Sequence, residues 1–324
     1  MPPCTRTSRM LRHLITSRAR HHTDELVAQA VELLGSSPLT LLDVGAANGA
    51  PPRWQPFGRV LNYVAVEPDP RSSGAVIDSN SRDFVSKKVI TKGLWHENGV
   101  VDLHLCRKPL ASSIYEPNHE LLSTFPDAAR FDVLDKEPMS VTTIDTIAIE
   151  HGMQFDAMKL DVQGAEFEVL RGAGTSLKDV LLVEAEVEFV PLYIGQPLVE
   201  SVSNLLRTSG FELIDYLHLY RWHPNHLDGT GQLMFADALY MRSPESLVDE
   251  LAAQRKMAAL AIMYGRGDVL CRLSRVVTDP ELFGLTTSVA RWLTTHNSKS
   301  QSILQRISRL LRLRDGNVQS HLFQ

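Results

Sequence analysis

The sequence predicts an α/β fold built around a parallel sheet and followed by a helical extension. An apolar run of strand length, residues 39–44, shows no alternation and therefore suits a strand that is covered on both faces. A turn of small residues follows it and contains Gly45 and Gly49, as in the glycine-rich turns of nucleotide-binding α/β domains. A second strand, 62–66, ends at Glu67, where such folds place a carboxylate for a ribose. Together these observations favour a site for a nucleoside-containing cofactor.

Composition limits the classes of protein to be considered. The 324 residues suffice for one large α/β domain with extensions or for two average domains. The hydrophobic share of 44% allows a packed core, and the net charge of −5 does not indicate nucleic acid or an anionic membrane as a partner. No apolar run approaches the length of a membrane-spanning helix. The three cysteines are far apart and match neither a disulfide framework nor a zinc site, which favours a cytoplasmic protein.

Changes in sequence character predict three regions. Residues 1–22 contain five arginines and no acid, and we interpret them as a basic arm, with an organelle transit peptide as the alternative. The domain itself is predicted over 23–242. After Ser243 strand signals become few, so 243–324 is predicted to be a helical extension. Its basic amphipathic segment, 303–313, is expected to pack on the domain or on a second copy in a homo-oligomer, with a membrane surface as the alternative.

The connection after the first strand departs from an ordinary dinucleotide-binding unit. Pro51, Pro52 and Pro56 leave room for little more than one turn of helix before the second strand. Trp54 and Phe57 are therefore expected to cover the sheet in place of a crossover helix. Downstream, the pattern predicts a third strand, a hairpin, a loop or lid and then five further strands. These elements are predicted at 87–95, 97–105, 107–126, 140–144, 155–160, 180–186, 211–216 and 233–241.

Motifs between residues 39 and 242 resemble those of the FkbM-type methyltransferases. The most specific is Lys-Leu-Asp-Val-Gln-Gly-Ala-Glu at 159–166. The others are Asp-Val-Gly-Ala at 43–46, Glu-Pro-Asp at 67–69, Ser-Ser-Ile-Tyr-Glu-Pro-Asn at 112–118, Thr-Ile-Asp at 143–145, Glu-Val-Glu-Phe at 186–189, Tyr-x-x-Gln-Pro at 193–197 and Phe-Ala-Asp-Ala-Leu at 235–239. The resemblance implies a Rossmann-like class I methyltransferase sheet of seven strands whose last strand is antiparallel. It also implies an S-adenosylmethionine-dependent O-methyltransferase, with a sugar or glycan hydroxyl as the acceptor.

The resemblance also assigns residues to the cofactor. It implies that Asp43 and the turn at 45–49 cradle the methionine portion, and that Glu67 accepts hydrogen bonds from the ribose hydroxyls. Trp95 and His96 follow the third strand, where methyltransferases of this fold contact adenine, although both could equally be hairpin residues without a ligand. The full predicted set is Asp43, Gly45, Ala46, Asn48, Gly49, Glu67, Pro68, Trp95, His96 and Asp161.

Asp161, Lys159 and Glu186 are the predicted catalytic residues. Asp161 follows a buried strand at the ligand edge of the sheet, where it could act as a general base, a ligand of a divalent metal or an orienting acceptor. Lys159 lies two positions earlier, on the same side of the strand, and would stabilise the charged carboxylate. This favours positioning or metal binding over a base, and a structural ion pair is the alternative. Glu186 with Asp161 is the candidate pair for a hard cation.

Four polar residues of the loop are predicted to line the acceptor pocket, because hydroxyl and amide groups suit a sugar. They are Ser112, Ser113, Tyr115 and Asn118, the last with a turn-forming role as the alternative. Two other functions compete with a methyltransferase. The missing middle glycine and the shortened helix count against an NAD-dependent oxidoreductase. A non-catalytic, partner-binding relative that dimerises through the extension is the other rival.

Overall fold

The protein combines two sheets with α-helices in the part of the chain that the structure describes, and residues 70–72 are also helical. The computed structural model describes residues 25–72, 76, 83–224 and 229–294. The strands are β1 (Leu39–Val44), β2 (Leu61–Val66), β3 (Ser86–Ile90), β4 (Gly93–Leu94), β5 (Gly99–Cys106), β6 (Val133–Thr142), β7 (Ala157–Leu160), β8 (Leu182–Glu188), β9 (Phe211–Trp222) and β10 (Gln232–Arg242). The helices are α1 (25–34), α2 (His119–Leu122), α3 (Ile144–His151), α4 (Glu166–Arg171), α5 (Val199–Thr208), α6 (Leu251–Met263), α7 (Gly267–Leu273) and α8 (280–294).

The larger sheet has seven strands in the order β3-β2-β1-β7-β8-β10-β9. Pairing is parallel from β3 to β8, and β10 is antiparallel to both of its neighbours. This confirms the predicted Rossmann-like sheet with an antiparallel last strand. The chain reverses its direction of winding between β1 and β7, and ligands of open α/β sheets bind in the crevice at such a point.

Strand β1 is apolar on both faces because each face packs into its own core. Leu39 and Leu41 belong to a core that also contains buried residues of α6 and α7. Leu42 and Val44 belong to the opposite core, which contains buried residues of α3, α4 and α5. The sheet is therefore a middle layer between two layers of helix.

The connection from β1 to β2 has the short form that its prolines predict. Residues 45–60 are all described, and they contain a 3-10 helix, Gln55–Val60, in place of a crossover α-helix. Trp54 and Phe57 are buried in the core on this face of the sheet, as predicted. The remainder of that face is covered by α1 and by helices from the other end of the described chain.

The predicted helical C-terminal region is confirmed over the part that the structure describes, where α6, α7 and α8 follow β10. The boundary at residue 243 stays a prediction. The core itself crosses that position, because Met257 and Leu270 are fully buried in the same cluster as Leu41 of β1. The basic arm at 1–22 and the amphipathic segment at 303–313 lie outside the described residues.

The hairpin predicted around 97–99 is wrong. In the small sheet β6 lies between β4 and β5, and it pairs in parallel with β4 and antiparallel with β5. The third strand of the large sheet ends at Ile90, and the chain then leaves that sheet. Both β4 and β5 pair with β6, which begins at residue 133, so the turn residues at 97–99 could not indicate this pairing.

Two further observations concern the surface and the thiols. None of the helices in the described part of the chain has both the length and the apolar character needed to cross a bilayer. Cys106 is buried and Cys271 is exposed, and both are free thiols.

Candidate active site

A cavity of about 480 Å³ opens at the carboxyl ends of β1, β2 and β7. Its wall is formed by the turn after β1, the residues after β2 and β7, the segment 108–114, and side chains of β8, β9 and β10. Eight residues predicted from the sequence line it: Gly45, Asn48, Glu67, Pro68, Ser112, Ser113, Asp161 and Glu186. The fold thus brings predicted cofactor, catalytic and acceptor residues to one cavity, at the point where winding reverses.

Gly45 allows two chain segments to approach closely in the site. Its φ is +80°, in the left-handed region that favours glycine. A Cβ atom at this position would lie 1.9 Å from the carbonyl oxygen of Asp161. The Gly45 N–H donates to the carbonyl of Val66 at 3.0 Å, which ties the turn to the end of β2. The turn after β1 is therefore held between β2 and the residues that follow β7.

Glu67 is a buried carboxylate at the end of β2. It is only 5% exposed, and its Oε1 accepts a hydrogen bond from the N–H of Asp69 at 2.9 Å. Burial raises the pKa of Glu67 to about 7, because removal from water disfavours the charged form. A carboxylate that lines the cavity and can accept further hydrogen bonds is compatible with ribose binding, which stays a prediction.

Asp43 lies beneath the cavity and is not among the residues that line it. Its Oδ2 accepts a hydrogen bond from the Tyr63 hydroxyl at 2.7 Å. Its buried Oδ1 has no hydrogen-bond partner among the described residues. Burial raises the pKa of Asp43 to about 6, an effect that the charge of Lys159, opposite it in the sheet register, opposes. The other oxygen of Asp43 is thus available to a group that enters from the turn above.

Asp161 and Glu186 are brought together by the side chain of Gln163. The Gln163 Nε2 donates to Asp161 Oδ1 and to Glu186 Oε1, at 3.0 Å in both cases. Lys159 Nζ lies 3.1 Å from Asp161 Oδ2, so the spacing of two residues does place both groups on one side of β7. Gln163 has a φ of +56°, which is uncommon for a residue with a side chain and frequent at functional sites.

The contacts of Gln163 also determine whether Asp161 and Glu186 can share the predicted metal ion. The amide nitrogen of Gln163 lies between Asp161 and Glu186, the position that a shared cation would need. Among the described residues, no group of three or more His, Cys, Asp or Glu side chains could hold a metal ion. The donor set present therefore does not fit a resident divalent cation.

Three glutamates lie close to this pair: Glu166 and Glu188 are buried, and Glu186 is half-buried. Burial raises the pKa of Glu166 to about 7, and it holds the pKa values of Glu186 and Glu188 well above their ordinary range. Each carboxylate also raises the pKa of its neighbours, because like charges at short range disfavour simultaneous ionisation. A raised pKa makes the ionised carboxylate a stronger base, and the one member that lines the cavity, Glu186, can take part in proton transfer.

Trp95 and His96 are not found among the described residues that line the cavity. The His96 Nδ1 lies 2.9 Å from Glu168 Oε2, and the ring of Trp95 neighbours those of His96 and Tyr115. Ala46 and Gly49 belong to the turn, although only their neighbours Gly45, Ala47 and Asn48 line the cavity. Contact of these four predicted residues with a cofactor stays a prediction.

The loop residues predicted for the acceptor divide into two pairs. Ser112 and Ser113 line the cavity, and the Ser113 hydroxyl donates to the backbone carbonyl of Gln163 at 2.7 Å. Asn118 instead caps helix α2, because its Oδ1 accepts from the N–H of Leu121 at 3.3 Å. Tyr115 lies against Trp95, with 6.1 Å between the ring centroids. The turn-forming alternative therefore describes what Asn118 does in the structure.

Gln163, Tyr220 and Phe235 are among the cavity residues that the sequence did not single out. The rings of Tyr220 and Phe235 stack with centroids 4.4 Å apart. The Tyr220 hydroxyl donates to Asp237 Oδ2 at 3.2 Å, and the same oxygen lies 2.9 Å from His218 Nδ1. Gln163 carried a signal, since an amide beside glycine follows the acid of the most specific motif. Tyr220 carried none, because the predicted strand ended at residue 216.

Comparison with known proteins identifies similar methyltransferases. The chain is 28% identical over 200 residues to the 2-O-methyltransferase NoeI of Sinorhizobium fredii. This alignment covers 57% of the present chain and 77% of NoeI. Among solved structures, the precorrin-6y C5,15-methyltransferase of Geobacter metallireducens is 9% identical, covers 67% of this chain and 88% of its own, and has a TM-score of 0.31.

A second solved structure, a Burkholderia thailandensis 1,6-didemethyltoxoflavin-N1-methyltransferase with bound S-adenosylhomocysteine, is 13% identical. It covers 75% of this chain and 92% of its own, with a TM-score of 0.28. Scores this low carry no argument about the site.

The family model is more informative, because the methyltransferase FkbM domain matches residues 43–213, which run from the buried acid of β1 into β9. The chain therefore belongs to the FkbM methyltransferase family.

Proposed function

We propose that the protein is an S-adenosylmethionine-dependent O-methyltransferase that acts on a hydroxyl group of a sugar. One observation carries the proposal. A single cavity at the reversal point of the sheet joins the close glycine turn at Gly45, the buried acid Glu67 and the carboxylate of Asp161. These are the groups that a nucleoside-linked methyl donor needs for its methionine portion, its ribose and its reacting end.

The residues divide the chemistry between binding and proton transfer. The donor supplies a methyl group on a sulfonium, and the acceptor oxygen displaces the sulfur in line, so an O–C bond forms while the C–S bond breaks. The acceptor proton must leave during this step. Asp161 and Glu186 both line the cavity and both accept a hydrogen bond from the Gln163 amide, and either can accept that proton. Lys159 holds Asp161 in place.

The lining of the cavity combines aromatic side chains with polar groups, which supports a sugar acceptor. Tyr220 and Phe235 present stacked rings, while Ser112, Ser113 and Glu186 present hydroxyl and carboxylate groups. Sugar rings combine apolar C–H faces with peripheral hydroxyl groups, so both kinds of surface find a counterpart. The 2-O-methyltransferase named above supports transfer to oxygen. The cysteine pattern favours a cytoplasmic enzyme.

The experiment begins with ligand binding and ends with transfer. Titration calorimetry of the full chain with S-adenosylmethionine, S-adenosylhomocysteine and NAD should show binding of the first two and not of NAD. A panel of neutral methyl glycosides with isotopically labelled donor should then give an alkali-stable, labelled O-methyl sugar. Binding of NAD in place of the donor would overturn the proposal in favour of an oxidoreductase. Binding of neither class would leave a non-catalytic relative, and label found on nitrogen or on an ester would refute the O-methyl sugar.

A further inference from the structure

The helical extension contacts the turn after β1 through one tyrosine. Tyr264 directly follows α6 and is buried. Its hydroxyl accepts a hydrogen bond from Trp54 Nε1 at 3.2 Å and donates to Glu184 Oε2 at 2.6 Å. The Trp54 and Tyr264 rings meet edge to face with centroids 6.0 Å apart, and the Arg53 guanidinium lies 4.6 Å from the centroid of the tyrosine ring. One side chain thus fixes the end of the proline turn.

Glu184 connects this tyrosine to the floor of the cavity. In the sheet register Glu184 lies opposite Lys159, and Lys159 lies opposite Asp43. Residues that are opposite each other in neighbouring strands share a face of the sheet, and here it is the face that the extension covers. Lys159 Nζ donates to Asp161, which lines the cavity. A row of buried and half-buried charges therefore runs from the extension to the candidate site.

Lys159 is the cation for which three carboxylates of this row compete. Desolvation lowers the pKa of Lys159, but the charges of Asp161, Asp43 and Glu184 outweigh it and raise that pKa. The Tyr264 hydroxyl donates a hydrogen bond to one oxygen of Glu184, which weakens the attraction between this carboxylate and the ammonium group of Lys159. Lys159 then remains bound to Asp161. Without the Tyr264 hydroxyl, Glu184 would lack this hydrogen-bond donor and would attract Lys159 towards β8.

We propose that Tyr264 is a positioning residue of the methyl-donor site, although it lies outside the segment that matches the family. It acts in two ways, by holding Trp54 at the end of the turn and by leaving Lys159 free to fix Asp161. The extension thereby takes over the part that a crossover helix would otherwise play beside the turn. The inference rests on the proposed function, because the affinity that Tyr264 sets is the affinity for the donor.

Tyr264→Phe tests this inference, with Tyr240→Phe as the matched control. Tyr240 is also buried, and its hydroxyl lies 2.8 Å from that of Ser203 in the core on the opposite face of the sheet. By calorimetry, Tyr264→Phe should weaken S-adenosylmethionine and S-adenosylhomocysteine binding about tenfold, the loss expected for one hydrogen bond to a charged group. Tyr240→Phe should leave both dissociation constants unchanged, while both variants should lose a similar amount in Tm.

A rescue variant separates positioning from simple loss of packing. Tyr264→Phe/Glu184→Gln removes the competing charge and should recover most of the lost affinity, whereas packing damage would persist or grow. If the single variant does not fold, the double variant alone decides, and it should bind within about threefold of the wild type. Wild-type affinity in Tyr264→Phe, or no recovery in the double variant, overturns the inference. A wild-type protein that binds neither ligand refutes the proposed function itself, so the two failures are distinguishable.

Discussion

Replacing Glu67 tests the donor site most directly, because its carboxylate is buried and lines the cavity. Glu67→Ala removes an acceptor that can bind both ribose hydroxyls. Hydrogen bonds to a charged acceptor make this loss worth about 2–3 kcal/mol. The dissociation constant for S-adenosylmethionine should therefore rise by about 30- to 150-fold. Glu67→Gln keeps the shape and one acceptor, so its loss should be smaller.

The pH dependence of binding provides a second signature. The pKa of Glu67 is raised by burial to about 7, so the carboxylate form that accepts two hydrogen bonds is a minority at pH 6 and a majority at pH 8. Apparent affinity scales with the fraction of the competent form, and the wild type should therefore bind the donor about tenfold more tightly at pH 8 than at pH 6. Glu67→Gln cannot titrate, and its affinity should lose this pH dependence.

The same raised pKa has a consequence for folding with a definite sign. In the unfolded chain Glu67 ionises near its ordinary value of 4.5, and in the folded protein near 7. The unfolded state therefore loses its proton first, and the group costs stability progressively as pH rises from 4.5 to 7. Glu67→Gln removes that cost and should stabilise the protein at pH 8 by at most about 3 kcal/mol, with little gain at pH 4.5.

Calorimetry at pH 6, 7 and 8 measures the first two effects, and urea unfolding at pH 5 and 8 measures the third. Glu97→Gln is the control, because its side chain is 75% exposed and lies outside the lining of the cavity. An unchanged dissociation constant in folded Glu67→Ala refutes the ribose assignment. Glu67→Gln with the pH profile of the wild type would refute the buried-charge argument.

Three further perturbations follow from the geometry of the site and of the core. Asp161→Asn should lower methyl transfer about 10²-fold with the sheet intact, and near-wild-type turnover would contradict a role of this carboxylate in the reaction. EDTA should not affect the wild type, because an amide already bridges the carboxylate pair, and loss of activity in EDTA would contradict this expectation. Gly45→Ala should abolish donor binding in calorimetry, because its Cβ would collide with the backbone of Asp161; retained binding refutes the close approach. Truncation after Ser243 should give a chain with an urea midpoint far below that of the full protein, because it removes Lys256, which lies 2.8 Å from the buried Asp156. A cooperative, wild-type midpoint would show that the extension is dispensable.

Local patterns predicted the parts of the site that are contiguous along the chain. The apolar run of β1 and the glycine after it were sufficient to place the turn, because both depend on backbone conformation and burial. Glu67 was identified by its position at the end of a strand. The ion pair of Lys159 and Asp161 follows from the alternation of side chains along one strand.

Features that depend on distant partners could not be predicted. Strand β4 pairs with a strand that begins about forty residues later, and a single sequence contains no record of that pairing. The aromatic wall at Tyr220 depends on how far β9 continues, which its antiparallel pairing with β10 determines. Gln163 was part of a motif, but its contact with Glu186 across the sheet required the register of β7 and β8.

The bond between Trp54 and Tyr264 joins positions that are 210 residues apart. At ordinary rates of synthesis the turn after β1 leaves the ribosome about 10 to 40 s before the tyrosine that holds it. During that interval the face of the nascent sheet that carries Leu41 and Tyr63 has no helical cover from the extension. We therefore expect the cofactor site to mature late in biogenesis, and translation stalled before α6 to yield a chain that binds chaperones and not the methyl donor.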